Sequence, residues 1–233
     1  MLDFSRFEVL TFDCYGTLIN WEDGILDYLH RLLEQNGKDA DDATLLRLYG
    51  DFEAQAEAGP YRPYRQVLES VVDQFAERFG FDATDQEEWS LAESVRDWEP
   101  WPDAVNALRE LQKHFRLAII SNIDDDIFAD TRPKLGVEFD QVITAQQAQA
   151  YKPSLKIFEL ALSRIAVPSH RVLHVGQSVY HDVVPAQSLG LSTVWVARPS
   201  LREGVGAVKA AEGHPDLTVA SLAELAEASQ SGR

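Results

Sequence analysis

Glu8-Val9-Leu10-Thr11-Phe12-Asp13-Cys14-Tyr15-Gly16-Thr17-Leu18 decides the fold of this chain. Its first five residues form a short apolar and β-branched run, the pattern of a buried strand, which Asp13 and Gly16 end. Similar runs return much later, at Leu117-Ala118-Ile119-Ile120, Val172-Leu173-His174-Val175 and Thr193-Val194-Trp195-Val196, with a weaker one at Gln141-Val142-Ile143-Thr144. Helical patterns over 102–114, 125–135, 154–166 and 180–189 separate them. Strands alternating with helices predict βαβ units, and so an α/β fold with a doubly wound, Rossmann-like parallel sheet. In such sheets the active site lies at the carboxyl ends of the strands.

Residues 20–97 break the alternation. They predict amphipathic helices at about 22–36, 41–58, 63–79 and 84–95, punctuated by Gly37, Gly59-Pro60 and Gly80, with no strand. A helical insert directly after the first strand is most simply a cap over that strand's C-terminal end. The predicted organisation is therefore a core domain of 1–19 and 98–233 with a cap domain of 20–97. No internal repeat is present, and residues 229–233 predict a loose tail.

The composition narrows the function. With 233 residues, 45% of them hydrophobic, the chain can bury a large core without staples. Cys14 is the single cysteine, which rules out an intramolecular disulfide and a cysteine zinc cluster and suits a reducing compartment. The first residues carry acids where a secretory signal needs a basic start and an apolar run, and the longest apolar runs fall far short of a membrane span. The expectation is a cytoplasmic protein with no membrane partner. A net charge of −17 repels phosphate backbones, so no nucleic-acid partner is expected.

The strand ends deliver polar residues in order: Asp13 with Thr17, Ser121 with Asn122, Lys152 after the fourth element, and Asp182 after Gly176. Each has a plain structural explanation when taken singly. Asp13 suits a turn, Ser121 and Asn122 suit a helix cap, Lys152 suits a charged surface, and Asp182 suits a helix's first turn. Their arrival together at the strand ends of one α/β chain favours a catalytic centre. Asp124-Asp125-Asp126 opens a helix and reads as compensation of its dipole rather than a metal cluster. Cys14 points away from Asp13 if the strand continues, and reads as packing.

Phe12-Asp13-Cys14-Tyr15-Gly16-Thr17-Leu18 resembles the first motif of the haloacid dehalogenase superfamily. Ile120-Ser121-Asn122 resembles the second, Tyr151-Lys152-Pro153 the third, and Val175-Gly176-Gln177-Ser178 through Asp182 the fourth. The resemblance spans essentially the whole chain, with 20–97 in the place of that superfamily's helical cap. Phosphatases of the superfamily carry a second aspartate where this chain has Tyr15, and Mg²⁺ held in part by acids of the fourth motif, where this chain has Gln177. Tyrosine at that position is what the L-2-haloacid dehalogenase branch shows, and that branch works without metal or cofactor.

The resemblance implies covalent catalysis in two steps on a small anionic substrate, an (S)-2-haloacid. Asp13 attacks C2, expels halide and forms an ester, which water hydrolyses to a 2-hydroxyacid. Lys152 would keep Asp13 ionised and Asp182 would pair with Lys152 and help activate water. Thr17, Ser121 and Ser178 would orient these groups and receive the substrate carboxylate, and Asn122 would face the leaving halide. Independently of the resemblance, Tyr15, Trp21, Tyr151 and Tyr180 are placed to wall a small apolar pocket, whereas Trp98 and Trp101 read as hinge or interface packing. A cap arginine would grip the anion: Arg47 is the nearest match, with Arg62 and Arg65 as rivals. The branch also implies a homodimer.

This chain departs from the branch at Phe158, Gln177, Val179 and His181, where the branch has tyrosine, serine, asparagine and tryptophan. Two alternatives stay open: a Mg²⁺-dependent small-molecule phosphatase of the superfamily, and a binding protein that keeps the fold without turnover.

Overall fold

The computed structural model describes residues 2–198 and 211–232. Strand β1 (Val9–Phe12) is buried on both faces, as a central strand of a parallel sheet must be. It is followed by four helices, α1 (Trp21–Gln35), α2 (Asp42–Glu57), α3 (Tyr64–Phe79) and α4 (Asp85–Ser94). Helix α5 (Ala104–Gln112) then leads to β2 (Arg116–Ser121), α6 (Asp125–Thr131), β3 (Gln141–Thr144), α7 (Ala145–Ala148) and α8 (Leu155–Ile165). The chain continues through β4 (Val172–Gly176), α9 (Val184–Ser188), β5 (Ser192–Val196), β6 (Leu217–Val219) and α10 (Leu222–Ser231).

The sheet order is β3-β2-β1-β4-β5-β6 and every pairing is parallel. This is the doubly wound, Rossmann-like sheet that the strand–helix alternation predicts. β1 lies between β2 and β4, where the strand order reverses, so its carboxyl end opens into the crevice where such folds place their sites.

The predicted helices of the insert match to within a residue or two. Among the elements predicted, three local features differ from expectation, each for a physical reason. The helix predicted over 125–135 tightens at Arg132–Leu135 into a 3₁₀ turn, because Pro133 has no N–H to continue the ladder. The helix predicted over 180–189 begins as a π turn at Val179–Val183 before α9, which has a proline in its first turn. The predicted tail is instead the end of α10: Leu222, Leu225, Ala226 and Ser229 make one buried face, and only Arg233 of that segment lies outside the described residues. Strand β6 was not expected from the sequence.

The helical insert is seated on the sheet's carboxyl edge by Asp124. Pro63 precedes α3 and offers its first turn no side-chain cap. Asp124 supplies it from β2's side of the molecule, accepting from the backbone N–H groups of Tyr64 and Arg65 at 3.0 Å each. Asp126 pairs with Arg65, and Tyr151 donates to the Arg62 carbonyl at 2.8 Å. The aspartate run therefore caps a distant helix as well as opening its own.

Gly24 lies within α1, where glycine costs up to about 1 kcal/mol relative to alanine. Close packing explains it: a Cβ there would lie 2.2 Å from Trp98 Cδ1. Trp98 is buried and edge-packed on Tyr15, so it has little room to yield. Gly24→Ala is expected to destabilise the fold by about 1–3 kcal/mol despite alanine's better helix propensity. A thermal melt that rises for this variant would contradict that packing argument.

Candidate active site

Asp13 is the first residue past β1, and its backbone N–H is held by the Val175 carbonyl of β4 at 2.9 Å. Its carboxylate is almost completely enclosed and each oxygen has one partner. Thr17 Oγ1 donates to Oδ2 at 2.6 Å, and Lys152 Nζ donates to Oδ1 at 2.7 Å. Lys152 also donates to Asp182 Oδ1 at 2.7 Å and to the Ile120 carbonyl at 3.0 Å. The structure thus brings Asp13, Thr17, Lys152 and Asp182 into one buried network.

The ammonium is aimed from behind. Asn122 Oδ1 accepts from the Lys152 backbone N–H at 2.6 Å, and Asn122 Nδ2 donates to the Lys152 carbonyl at 3.1 Å. Asn122 therefore pins the lysine's backbone as well as lining the cavity. Gly176 makes room for the acid, since a Cβ there would lie 2.5 Å from Asp182 Cβ. The Ser178 backbone N–H donates to Asp182 Oδ2 at 3.3 Å, and Ser178 Oγ accepts from the His181 N–H at 3.0 Å.

His174 is a site residue that the strand pattern did not single out. It pairs with Thr11 in the β1–β4 register, and its ring nitrogens lie 2.9 Å from Thr11 Oγ1 and 3.2 Å from Asp182 Oδ1. Phe158 packs edge-on against its ring. A polar residue inside an apolar strand was the signal available. Gln177 too is engaged: its backbone N–H donates to Thr17 Oγ1 at 2.9 Å.

The electrostatics follow from one cation serving two buried acids. Burial pushes the Asp13 carboxyl above its ordinary value; Lys152 opposes this, and the charge of Asp182 adds to it. Burial would also raise Asp182, but Lys152 and then His174 outweigh it and hold this carboxyl well below the usual range. Burial alone would lower the Lys152 ammonium, yet Asp13 and Asp182 hold it above an ordinary lysine. The network therefore carries a firmly ionised Asp182–Lys152 pair, against which Asp13 is the less stabilised carboxylate.

The cavity above Asp13 is small, about 60 Å³, with Tyr15, Trp21, Ser121, Asn122, Gln177, Ser178 and His181 on its walls. Tyr15 is fixed by a 2.8 Å hydrogen bond between its hydroxyl and Thr131 Oγ1. Trp98 and Trp101 are packing at the junction, Trp101 donating to the Gly16 carbonyl at 3.1 Å. Cys14 is fully buried and burial raises its thiol, which agrees with a packing role.

No cap arginine reaches this cavity. Arg47 is exposed and forms an i,i+4 pair with Asp51, Arg62 donates to the Ala56 carbonyl, and Arg65 pairs with Glu93 and Asp126. The insert presents Glu53, Glu57 and Tyr64 instead. Burial raises both glutamates, and Glu53 adds to the rise of Glu57. Sequence reading missed this pair, whose only signal was acids four residues apart on one helix face.

The donor set does not fit Mg²⁺. Such an ion needs near-octahedral oxygen ligands, usually one or two free carboxylates together with waters and substrate phosphates. Here Lys152 Nζ bridges Asp13 and Asp182, the other Asp13 oxygen is bonded to Thr17, and Gln177 beside them supplies no carboxylate. Among the described residues no group of three or more His, Cys, Asp or Glu is arranged to hold a metal. Nor is any helix among them long and apolar enough to cross a membrane.

Comparison with known proteins agrees with this architecture. Residues 7–190 match the family model described as haloacid dehalogenase-like hydrolase. Haloacetate dehalogenase H-2 of Moraxella sp. (strain B) is 26% identical over 197 residues, covering 83% of this chain and 87% of that protein. The (S)-2-haloacid dehalogenase of Pseudomonas putida is 25% identical over 72% of each chain. The L-2-haloacid dehalogenase of Xanthobacter autotrophicus, solved with chloropropionic acid covalently bound, superposes with a TM-score of 0.79 at 20% identity, covering 96% of this chain and 98% of that one. At that identity the likeness is one of fold.

Proposed function

The chain belongs to the haloacid dehalogenase-like hydrolases, and from that membership we propose that it converts a small (S)-2-haloacid to a 2-hydroxyacid and halide through an ester on Asp13, without metal. The observation that carries this reading is Lys152 Nζ, buried and 2.7 Å from both Asp13 and Asp182. It lets an enclosed carboxylate remain ionised while leaving it the least stabilised acid of the network, the condition a nucleophile needs. The names of the relatives point the same way.

In the first step an Asp13 oxygen bonds to C2, the carbon–halogen bond breaks and halide departs with the electron pair. Tyr15 and Trp21 keep competing water from the reacting carbon. In the second step water adds to Asp13 Cγ, the ester bond breaks and the hydroxyacid leaves with its new oxygen taken from Asp13. Asp182 Oδ2, whose one hydrogen bond among the described residues is the long 3.3 Å contact from Ser178, would accept from that water and orient it. Lys152 stabilises the oxyanion formed at Asp13.

Halide release from a panel of 2-haloacids is expected to proceed equally with and without EDTA. In ¹⁸O-water, a single turnover with enzyme in excess should leave the product unlabelled and place the label on Asp13. Label appearing directly in the hydroxyacid would refute the ester route. Mg²⁺-dependent hydrolysis of p-nitrophenyl phosphate that stops with EDTA, with no halide release, would replace this reading with a phosphatase.

A further inference from the structure

The insert side of the cavity has the wrong sign for the substrate grip that a cap arginine would give. Among the described residues, four carboxyl groups, those of Asp13, Asp182, Glu53 and Glu57, share the lining with His181, one lysine and no arginine. Lys152 is already committed to Asp13 and Asp182. Glu53 Oε1 accepts from the hydroxyls of Tyr49 and Tyr64, so the protein itself satisfies it. Glu57 differs: among the described residues no hydrogen bond or ion pair holds it, and the cation that acts on it, Lys152, is bonded to Asp13 and Asp182. It lies half-buried at the end of α2, where the cavity meets a wider cleft of about 670 Å³ that Glu53, Glu57, Lys152 and His181 also line.

A carboxylate partly withdrawn from water and left without a hydrogen bond costs free energy that a bound cation can recover. The core wall holds a second unanswered group. Ser121 Oγ, in a residue 1% exposed, has no hydrogen-bond partner among the described residues and lines the same cavity. A plain 2-haloalkanoate would answer Ser121 with its carboxylate but bring only negative charge or hydrocarbon to Glu57. A ligand that answers both has an anionic end and a cationic one.

We propose that Glu57, backed by Glu53, is the seat for a protonated amine on the substrate, which is a small amino-bearing 2-haloacid whose C2 faces Asp13. The proposal rests on the dehalogenating reading for the reaction but not for the seat. The amine undergoes no chemistry: Asp13 still gains the bond to C2, and halide still takes the electron pair. Glu57 is thus a specificity residue, and it reads a group that the expected arginine would repel.

The test compares two ligands that differ by one group. Calorimetric titration of the wild type with 3-amino-2-hydroxypropanoate and with 2-hydroxybutanoate sets an ammonium against a methyl of similar size. The amino compound is expected to bind about tenfold tighter or more, the scale of a charge-assisted hydrogen bond, and Glu57→Gln should bring the two level. Equal binding by the wild type, or a preference that survives Glu57→Gln, would overturn the proposal. Halide release from 3-amino-2-chloropropanoate and 2-chlorobutanoate, measured alongside, decides the reaction separately. If neither releases halide while the amine preference holds, the dehalogenating reading falls and the seat stands.

Discussion

Asp13→Asn is expected to lower turnover by about 10⁴-fold or more, in the range seen when a covalent nucleophile is removed, while the protein melts no lower than the wild type. The loss follows because an amide cannot displace halide from a saturated carbon. The retained stability follows from the electrostatics. Burial, opposed by Lys152 and reinforced by Asp182, holds the Asp13 carboxyl above its ordinary value. A group whose folded pKa is raised favours the fold below that pKa and burdens it above, so ionised Asp13 is a net cost near neutral pH. Asparagine removes the charge and leaves Lys152 with Asp182 at 2.7 Å. Halide-release kinetics and a thermal melt read the two effects, and a variant that kept its rate would place the chemistry elsewhere.

Lys152→Met is expected to damage both function and fold. Methionine fills much of the same space but strips the cation from between two enclosed carboxylates. Leaving buried charges uncompensated costs about 3–5 kcal/mol. The cost should depend on pH in a definite direction. In the wild type the Asp182 carboxyl is held low, so its contribution is present above the unfolded pKa of about 3.9 and is lost only as pH falls through the lower folded value. Without Lys152 only His174 still opposes burial at Asp182 and only Thr17 at Asp13, so both carboxyls rise relative to the wild type and stability drops as pH climbs. Urea unfolding at about pH 7 and about pH 5 should therefore find the gap between variant and wild type narrower at the lower pH. A gap that stayed constant would mean that Lys152 stabilises by packing.

The floor of the site was legible because each of its parts is local in sequence. Asp13 with Thr17, Ser121 with Asn122, and Asp182 after Gly176 each sit on a short apolar strand and its turn, and strand ends of one sheet converge wherever the loops go. The roof was not legible. Periodicity identifies α2 as amphipathic but cannot tell a polar residue that faces water from one that faces a cavity. Arg47 lies about 120° around the helix from Glu53, six residues at 3.6 per turn, so when α2 presents Glu53 to the cavity Arg47 is carried outward. Asp124 escaped for a related reason. Its partners, Tyr64 and Arg65, are some sixty residues away, and a helix N-terminus that borrows its cap leaves no motif at its own start.

That borrowed cap separates how the lid is mounted from what the lid can recognise. Asp124 grips backbone N–H groups, which every residue except proline supplies, so the joint is indifferent to the side chains that α2 and α3 turn toward the cleft. The inner surface of the lid can then be rewritten, an acid exchanged for an amide or a base, without loosening its seat. On the proposed reading, selectivity resides in a replaceable lining on a fixed mount.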